Sequence, residues 1–155
     1  MHVFFDTEFT QLSSEAKLIS VGLVAEDGRE FYAELADGWG LSDCSDFVRK
    51  EVVPHLESMP LMTLHELRSA LKDWLESLRQ QVELVTDAPD LDWPWVAHIF
   101  PSEESWPNNL ISQPTLSWVD EIATQKEQRF RCYRRHHALD DARLMWRASK
   151  RIDWQ

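Results

Sequence analysis

The chain has few of the residues that mark secreted, membrane-spanning or metal-cluster proteins. It has only two cysteines among 155 residues, Cys44 and Cys132, and their spacing fits no metal site. We interpret them as reduced structural thiols, with an isolated disulfide as the alternative. No apolar run approaches 18 residues and no N-terminal signal sequence is recognisable. These absences predict a cytoplasmic protein that does not contact a membrane.

Basic residues are also scarce. Lys and Arg number 16 against 27 Asp and Glu, which gives a formal net charge of −11. This balance argues against a protein that simply coats nucleic acid. One basic segment, residues 129–135 (RFRCYRR), interrupts the acidic background. Two interpretations of it stay open: a phosphate-contacting rim with aromatic stacking partners, or a solvated helix face that pairs with nearby acids.

The most informative pattern that is present is Phe5-Asp6-Thr7-Glu8-Phe9, which follows the apolar start of the chain. Residues i and i+2 of a strand point to the same face, so Asp6 and Glu8 should lie side by side. Two buried carboxylates on one face repel each other and are expensive to desolvate. A divalent cation between them removes that repulsion, and oxygen ligands suit Mg²⁺ or Mn²⁺. The alternative is a strand that runs out to solvent with two exposed acids.

A second pattern lies far along the chain, at residues 136–142 (HHALDDA). Apolar residues at helical spacing follow it, so Asp141 should lie in the first turn of a helix and His136 just before that turn. A helix N-terminus favours acids by itself, which accounts for Asp140 and Asp141. It does not account for the pair of histidines.

Together the two patterns resemble the DEDDh exonucleases, and most closely a small bacterial branch of 3′–5′ exoribonucleases. The first motif of that family, D-x-E, is matched by Asp6 and Glu8, and its last motif, H-x-A-x-x-D, by His136, Ala138 and Asp141. The stretch of residues 18–30 (LISVGLVAEDGRE) carries much of the likeness, which extends over nearly the whole chain. The resemblance implies a ribonuclease H-like α/β fold, a mixed β-sheet flanked by α-helices, in a single domain of residues 1–155.

The family also has a middle aspartate at the start of a helix, and three candidates for it are Asp87, Asp90 and Asp92. The segment Leu91-Asp92-Trp93-Pro94-Trp95-Val96 resembles the family pattern F-D-x-x-F-L, which favours Asp92. Asp92 would also suit an N-cap, with Pro94 in the first helical turn. The H-N-A-x that usually precedes this aspartate is absent, so Asp87 and Asp90 stay open.

The resemblance further implies a catalytic role for each motif residue. Asp6, Glu8, Asp92 and Asp141 would hold two Mg²⁺ or Mn²⁺ ions, with Asp6 shared between them. His136 would be the general base, since an imidazole titrates near neutral pH; His137 is the base only in a shifted alignment. Thr7, Phe9 and Trp93 would bind substrate beside these acids.

The implied activity is 3′–5′ removal of nucleotides from single-stranded RNA or overhangs, with DNA as a possible substrate. The basic segment is short, so the sequence indicates no long positive groove that could hold a duplex. This favours a single-stranded nucleic acid as the substrate. Two alternatives come from other classes: a phosphodiesterase that acts on small nucleotides, and a non-catalytic nucleic-acid-binding module. The acids at every motif position argue against the binding module, which has no need of them.

The remaining pattern predicts the order of the elements. Strands are predicted at residues 2–6, 17–25, 29–34 and 82–86, with a hairpin turn at residues 26–28. Helices are predicted at residues 47–56, after a capping box at Thr63 and Glu66, at residues 92–100 and 118–128, and at the C-terminal end. Residues 101–117 are predicted to be a long loop. Four tryptophans outside the helical stripes suggest an interface and hence a homodimer, namely Trp39, Trp106, Trp118 and Trp154.

Overall fold

A computed structural model describes residues 1–113, 115–116 and 134–150 of the chain. Within these residues, six strands form one mixed sheet in the order β4-β3-β2-β1-β5-β6. β1 pairs antiparallel with β2, and β2 with β3, whereas β5 is parallel to β1. The strands are β1 (His2–Phe9), β2 (Leu18–Ala25), β3 (Glu30–Leu35), β4 (Leu61–Met62), β5 (Glu83–Thr86) and β6 (Thr115–Leu116).

Four α-helices are described together with this sheet. They are α1 (Asp46–Glu51), α2 (Leu64–Ser77), α3 (Pro89–Ile99) and α4 (Ala138–Ser149). α4 packs against β1 and β2, whereas α2 packs against β3 and α3 against β1 and β5. This arrangement is the α/β class and the ribonuclease H-like fold that the resemblance implied. In the described part of the chain, no helix has the length and apolar character needed to cross a membrane.

The alternation of β1 explains which residues form the core and which form the site. Val3 and Phe5 belong to the main core, which includes the apolar stripe of α2, whereas Phe4 packs with Met145 and Ala148 of α4. Asp6 and Glu8 follow Phe4 at spacings of two, so their side chains point to the same side of the sheet as Phe4. β2 is buried along its whole length, as expected for a central strand whose two faces are covered.

The helices and strands predicted within the described residues agree with the structure in type, but several of their limits differ. β1 extends to Phe9, so Asp6 and Glu8 lie within the strand rather than at its end. The helix predicted at residues 47–56 ends at Glu51, and a separate 3₁₀ turn, Val53–His55, contains Pro54. The predicted loop at residues 101–117 contains the two-residue strand β6, which, like β4, is too short to give an alternating pattern.

The start of α3 was predicted wrongly. The helix begins at Pro89, with Ala88 as its N-cap, so Asp92 lies in the first turn and Pro94 inside the helix. Pro89 fixes a helical φ at a position where no N–H is needed, and it therefore starts the helix three residues earlier. The side chain of Asp92 is thereby released from capping and is directed into the interior.

The predictions about the cysteines and the tryptophans can be compared with the structure only for some of those residues, because the others lie outside the described ranges. Cys44 is a free, buried thiol, whereas Cys132 and the predicted helix at residues 118–128 lie outside the described residues. Trp39 and Trp106 are half-buried against the main core, and each indole N–H donates to a backbone carbonyl. These two rings are accounted for by packing, so the homodimer stays a prediction; Trp118 and Trp154 are not described.

Gly22 brings the start of α4 close to the sheet. It lies opposite Asp6 in the pairing of β1 with β2. A Cβ at this position would lie 2.2 Å from the backbone nitrogen of Leu139 and 2.3 Å from the carbonyl carbon of Ala138. Only glycine therefore allows the first turn of α4 to rest on the strand beside Asp6.

Replacing Gly22 by alanine should lower the stability of the protein and displace α4. Backbone atoms cannot move aside as a flexible side chain can, and overpacking typically costs about 1–3 kcal/mol or more. For a chain of this size that corresponds to a fall in melting temperature of roughly 2–12 °C, measured by thermal unfolding. Gly40→Ala is the matched control, because its nearest non-neighbouring atom is 3.9 Å away. Equal melting temperatures for the two variants would contradict this role of Gly22.

Candidate metal centre and cleft

Acidic side chains from three elements converge beside β1. Oxygen atoms of Asp6, Glu8 and Asp141 lie within 4.8 Å of one another, and so do those of Asp6, Asp87 and Asp92. Asp6 belongs to both triads. Such oxygen-only groups match the ligand preference of Mg²⁺ and Mn²⁺, and two triads that share one carboxylate are suited to a pair of ions.

Asp141 reaches the cluster because α4 begins at Ala138. Its carboxylate accepts a hydrogen bond from the backbone N–H of His137 at 3.3 Å, and its own N–H donates to the His137 carbonyl at 3.0 Å. His137 is the N-cap of α4, and its ring accepts from the backbone N–H of Asp140. The helix cap thus orients the segment that carries both the last acid and His136.

Asp92 is held from two strands. One carboxylate oxygen accepts from the Thr7 backbone N–H at 3.1 Å and from the Thr7 hydroxyl at 2.6 Å. The other oxygen accepts a short hydrogen bond from the Thr86 hydroxyl. Asp92 is 2 % exposed, whereas Asp87 in the same triad is exposed to solvent. Asp90, the third candidate for the middle aspartate, is exposed and belongs to neither triad.

Burial and mutual repulsion raise the pKa values of the clustered acids. Desolvation is the largest cause, and it raises the pKa of Glu8 to about 8, of Asp141 to about 7 and of Asp92 to about 6. The pKa of Asp6 is also raised, first by desolvation and then by the charges of Asp92 and Glu8. A fully ionised cluster is therefore unfavourable until a cation offsets the charge.

The metal-free protein should lose stability as the pH rises from about 4 to about 8. A carboxyl whose folded-state pKa is raised contributes stability that is fully present below its ordinary pKa, 3.8 for Asp141 and 4.5 for Glu8. This contribution is lost as the pH rises to the folded-state pKa, about 7 for Asp141 and about 8 for Glu8. The melting temperature in EDTA should fall by at least about 3 °C, equivalent to about 1 kcal/mol. Glu8→Gln should flatten this dependence. An unchanged slope in that variant would show that Glu8 ionises normally.

His136 lies at the edge of the same cleft. Its backbone has a φ of 58°, in the left-handed region that few non-glycine residues adopt, and its ring meets the Phe47 ring edge-on at 4.9 Å. Burial, and secondarily the charge of Arg135, lowers the pKa of His136 below its ordinary value. The adjacent His137 is 1 % exposed and stacks on Tyr32, with ring centroids 4.7 Å apart, so it does not face the cleft.

The acids open into a cleft of about 480 Å³. Among the predicted substrate-binding residues, Thr7 and Phe9 line this cleft. Trp93 does not line it; its ring packs against the core, with its centroid 6.2 Å from that of Trp106. Successive residues of a helix point about 100° apart, so Trp93 points away from the acids when Asp92 points toward them. The other residues that line the cleft are Asp6, Glu8, Gln11, Leu12, Ser45, Phe47, Val48, Val52, Ala88, Leu91, Asp92, His136 and Asp141.

Sequence reasoning missed an apolar wall on this cleft. Leu12, Phe47 and Leu91 are 78 %, 54 % and 46 % exposed, and all three border the acids. Exposed apolar side chains gathered around polar groups are typical of a ligand-binding surface. Phe47 could not be distinguished from a core residue, because it lies in a segment that also supplies Val48 and Val52 to a buried cluster.

The fold and site together define an α/β protein with a ribonuclease H-like sheet, whose first strand carries part of a carboxylate cluster that could hold divalent cations. The chain belongs to the family described as "3'-5' exoribonuclease Rv2179c-like domain", because the sequence profile of that family matches residues 1–152.

Two curated proteins of Mycobacterium tuberculosis are similar to the chain. "3'-5' exoribonuclease Rv2179c" of strain ATCC 25618 / H37Rv is 38 % identical over 97 residues, which cover 62 % of this chain and 54 % of that protein. "3'-5' exoribonuclease MT2234.1" of strain CDC 1551 / Oshkosh gives the same values. The chain thus spans about half the length of the curated relatives it matches.

Proposed function

We propose that the protein is a metal-dependent 3′–5′ exoribonuclease that acts on single-stranded RNA. The observation that carries the proposal is the pair of carboxylate triads that share Asp6 and lie in a largely apolar cleft. Family membership and the two curated relatives support the reaction class. We also propose that residues 1–155 form a single catalytic domain.

The chain's own acids fit a pair of divalent cations. Glu8 and Asp141 would hold one ion and Asp92 the other, and Asp6 would serve both. When bound, Mg²⁺ or Mn²⁺ would neutralise charge on the scissile phosphate and favour ionisation of the attacking water. Thr7 and Thr86 would keep Asp92 in place through the hydrogen bonds described above.

His136 is proposed as the general base. Its lowered pKa keeps the imidazole neutral near pH 7, which is the form that accepts a proton. The position of the ring at the cleft edge, against Phe47, would let it take the proton from the attacking water as the bond between phosphorus and the 3′-oxygen of the remaining strand breaks. That oxygen would leave as a hydroxyl with a proton from solvent. Arg135, which directly precedes His136, is exposed and could contact the substrate phosphates.

The apolar wall suits the base of a terminal nucleotide. The wall residues Leu12, Phe47 and Leu91, together with Phe9 beside them, offer apolar or aromatic contacts that do not depend on the base sequence. The other described arginine of the basic segment, Arg134, pairs with Glu57 and Asp140, so it is engaged within the protein. Residues 129–133 lie outside the described part, and their contribution to RNA binding stays a prediction.

The identity of the middle ligand can be tested with matched asparagine variants. We expect Asp92→Asn to weaken Mn²⁺ binding by more than about tenfold, because even outer partners of metal ligands contribute 10–100-fold. Asp87→Asn should have a smaller effect, since Asp87 is exposed and more strongly screened. Isothermal titration calorimetry at fixed pH measures both, with melting curves in EDTA as a check on folding. The reverse order would assign the ligand role to Asp87.

Digestion of matched RNA and DNA oligomers, labelled at either the 3′ or the 5′ end, tests the function. With Mg²⁺ or Mn²⁺ we expect mononucleotides released from the 3′ end of RNA, and strong inhibition by a 3′-phosphate, since the terminal sugar must enter the cleft. Fragments from a circular RNA would instead show an endonuclease. Equal rates on RNA and DNA would remove only the RNA preference. Hydrolysis restricted to small nucleotide esters would show a phosphodiesterase.

A further inference from the structure

The cleft that contains the acids continues into two further hollows along the outer face of α3. The first, of about 340 Å³, shares Phe9, Leu12 and Leu91 with the cleft. The second, of about 250 Å³, shares Ala16 and Trp95 with the first. We name these two hollows the outer groove. The outer groove lies between α3 and the segment of residues 9–18, which runs from the end of β1 to the start of β2.

Trp95 lies at the junction of the two hollows. Its ring is 5.7 Å from the Phe9 ring at a tilt of 32°, and 5.7 Å from the His98 ring in an edge-on contact. Leu91, Trp95 and His98 are spaced by four and three residues, so they form one stripe on the surface of α3. A line of aromatic and apolar side chains therefore leads from the acids, past Phe9 and Trp95, to His98.

The charges in the outer groove do not suit a polyanion backbone. Its one lysine, Lys17, is paired with Asp43 at 2.9 Å, and Asp37 and Asp90 also line the hollows. A ligand that places phosphates against this surface would be repelled. A ligand that turns flat, uncharged faces inward and phosphates outward would be accepted.

We propose that the outer groove binds the nucleotides that precede the 3′-terminal nucleotide of a single-stranded RNA, with a base stacked on Trp95. This inference rests on the proposed exonuclease function, since continuity with the acid-lined cleft identifies the occupant. A duplex is excluded as the occupant, because its bases are already stacked and it presents its phosphates to the protein. The groove gives the enzyme a preference for length rather than for sequence.

The test compares two RNA lengths with the same 3′ end, a dinucleotide and an octanucleotide. With the 3′-terminal nucleotide in the cleft, we expect the other nucleotide of the dinucleotide to reach the Phe9 and Leu91 end of the outer groove, short of the stacking position on Trp95. The octanucleotide is long enough to extend past Trp95. Trp95→Leu keeps an apolar side chain but removes the ring. It should raise KM for the octanucleotide by about 5- to 150-fold, the range for loss of one base–aromatic stack, with kcat unchanged. KM for the dinucleotide should change by less than about twofold.

Trp74→Leu is the matched control. Trp74 is half-buried against the same core and contacts Phe31 at 5.8 Å, but it lies on α2 outside the groove. This variant should leave the ratio of the two KM values unchanged. The difference between wild type and Trp95→Leu should also depend weakly on salt, because few phosphates are contacted. An equal effect of Trp95→Leu on both lengths, or no effect, would overturn the proposal.

Equilibrium binding keeps this test separate from the proposed function. Fluorescein-labelled octanucleotide can be titrated in Ca²⁺, with anisotropy as the readout for wild type and Trp95→Leu. Failure of the wild type to hydrolyse RNA would overturn the exonuclease assignment, while a weaker Kd for Trp95→Leu would still support the groove. Hydrolysis by both proteins with equal Kd values would overturn the groove and leave the exonuclease assignment standing.

Discussion

Asp6→Asn should abolish hydrolysis, with a fall in kcat/KM of at least about 10³-fold. Asp6 is the one residue that belongs to both carboxylate triads, so its loss affects both proposed ion positions. Several kcal/mol of transition-state stabilisation are expected to depend on bound divalent ions, and each 1.4 kcal/mol corresponds to about tenfold in rate. EDTA should have the same effect on the wild-type protein. Turnover that persists undiminished in EDTA would rule out the metal-dependent mechanism.

Stability gives a second readout of the same variant. Asp6 repels Asp92, Glu8 and Asp141 in the metal-free protein, so Asp6→Asn should raise the melting temperature in EDTA. It should also remove most of the stabilisation that Mn²⁺ gives to the wild type. Asp73→Asn, on the exposed face of α2, is the matched control and should change neither property. An inactive variant that also melts lower would indicate a structural role for Asp6.

The parts of the site that could be predicted were those fixed by local rules. Strand alternation placed Asp6 and Glu8 on one face, and the helical pattern after residue 137 placed Asp141 in a first turn. Both rules need only residues close in sequence. The convergence of the two segments needs Gly22, which lies opposite Asp6 and admits the backbone of α4. The local pattern places Gly22 inside a predicted strand, but it does not show which backbone that glycine admits.

The start of α3 shows why other features could not be predicted. Asp92 and Pro94 satisfied the local preferences for a cap and a first turn, but Pro89 satisfied them earlier in the chain. Asp92 then gained three hydrogen bonds from Thr7 and Thr86, which are remote in sequence or on a different element. The helix limit therefore depended on which of two local signals prevailed, whereas the direction of the Asp92 side chain depended on tertiary contacts that a local pattern does not show.

The exposed apolar wall could not be predicted for a related reason. Leu12, Phe47 and Leu91 come from three separate segments, and no pattern in the sequence connects them. Only the folded chain shows that they are exposed and border the acids. Apolar residues that bind a ligand have the same residue types as the core, so they are recognised only by their exposure and position in the folded chain.

His136→Ala should bind RNA nearly as well as the wild type but cleave it about 10²–10⁴-fold more slowly, the range usual for loss of a general base. The effect should fall on kcat, because the imidazole acts on the attacking water while the apolar wall and the acids hold the substrate. His65→Ala, an exposed histidine on α2, is the control and should retain full activity.

The pH profile distinguishes a base from a residue that only positions the substrate. At saturating Mg²⁺ the wild-type rate should fall as the pH drops below the pKa of His136, which burial holds under its ordinary value of about 6.5. His136→Ala should lack this limb, because no imidazole remains to be protonated. His136→Gln should not restore the rate, since an amide fills the space but accepts no proton at this pH. An acidic limb that persists unchanged in His136→Ala would assign the base to another group, and a rise in KM with kcat unaltered would make His136 a substrate-binding residue.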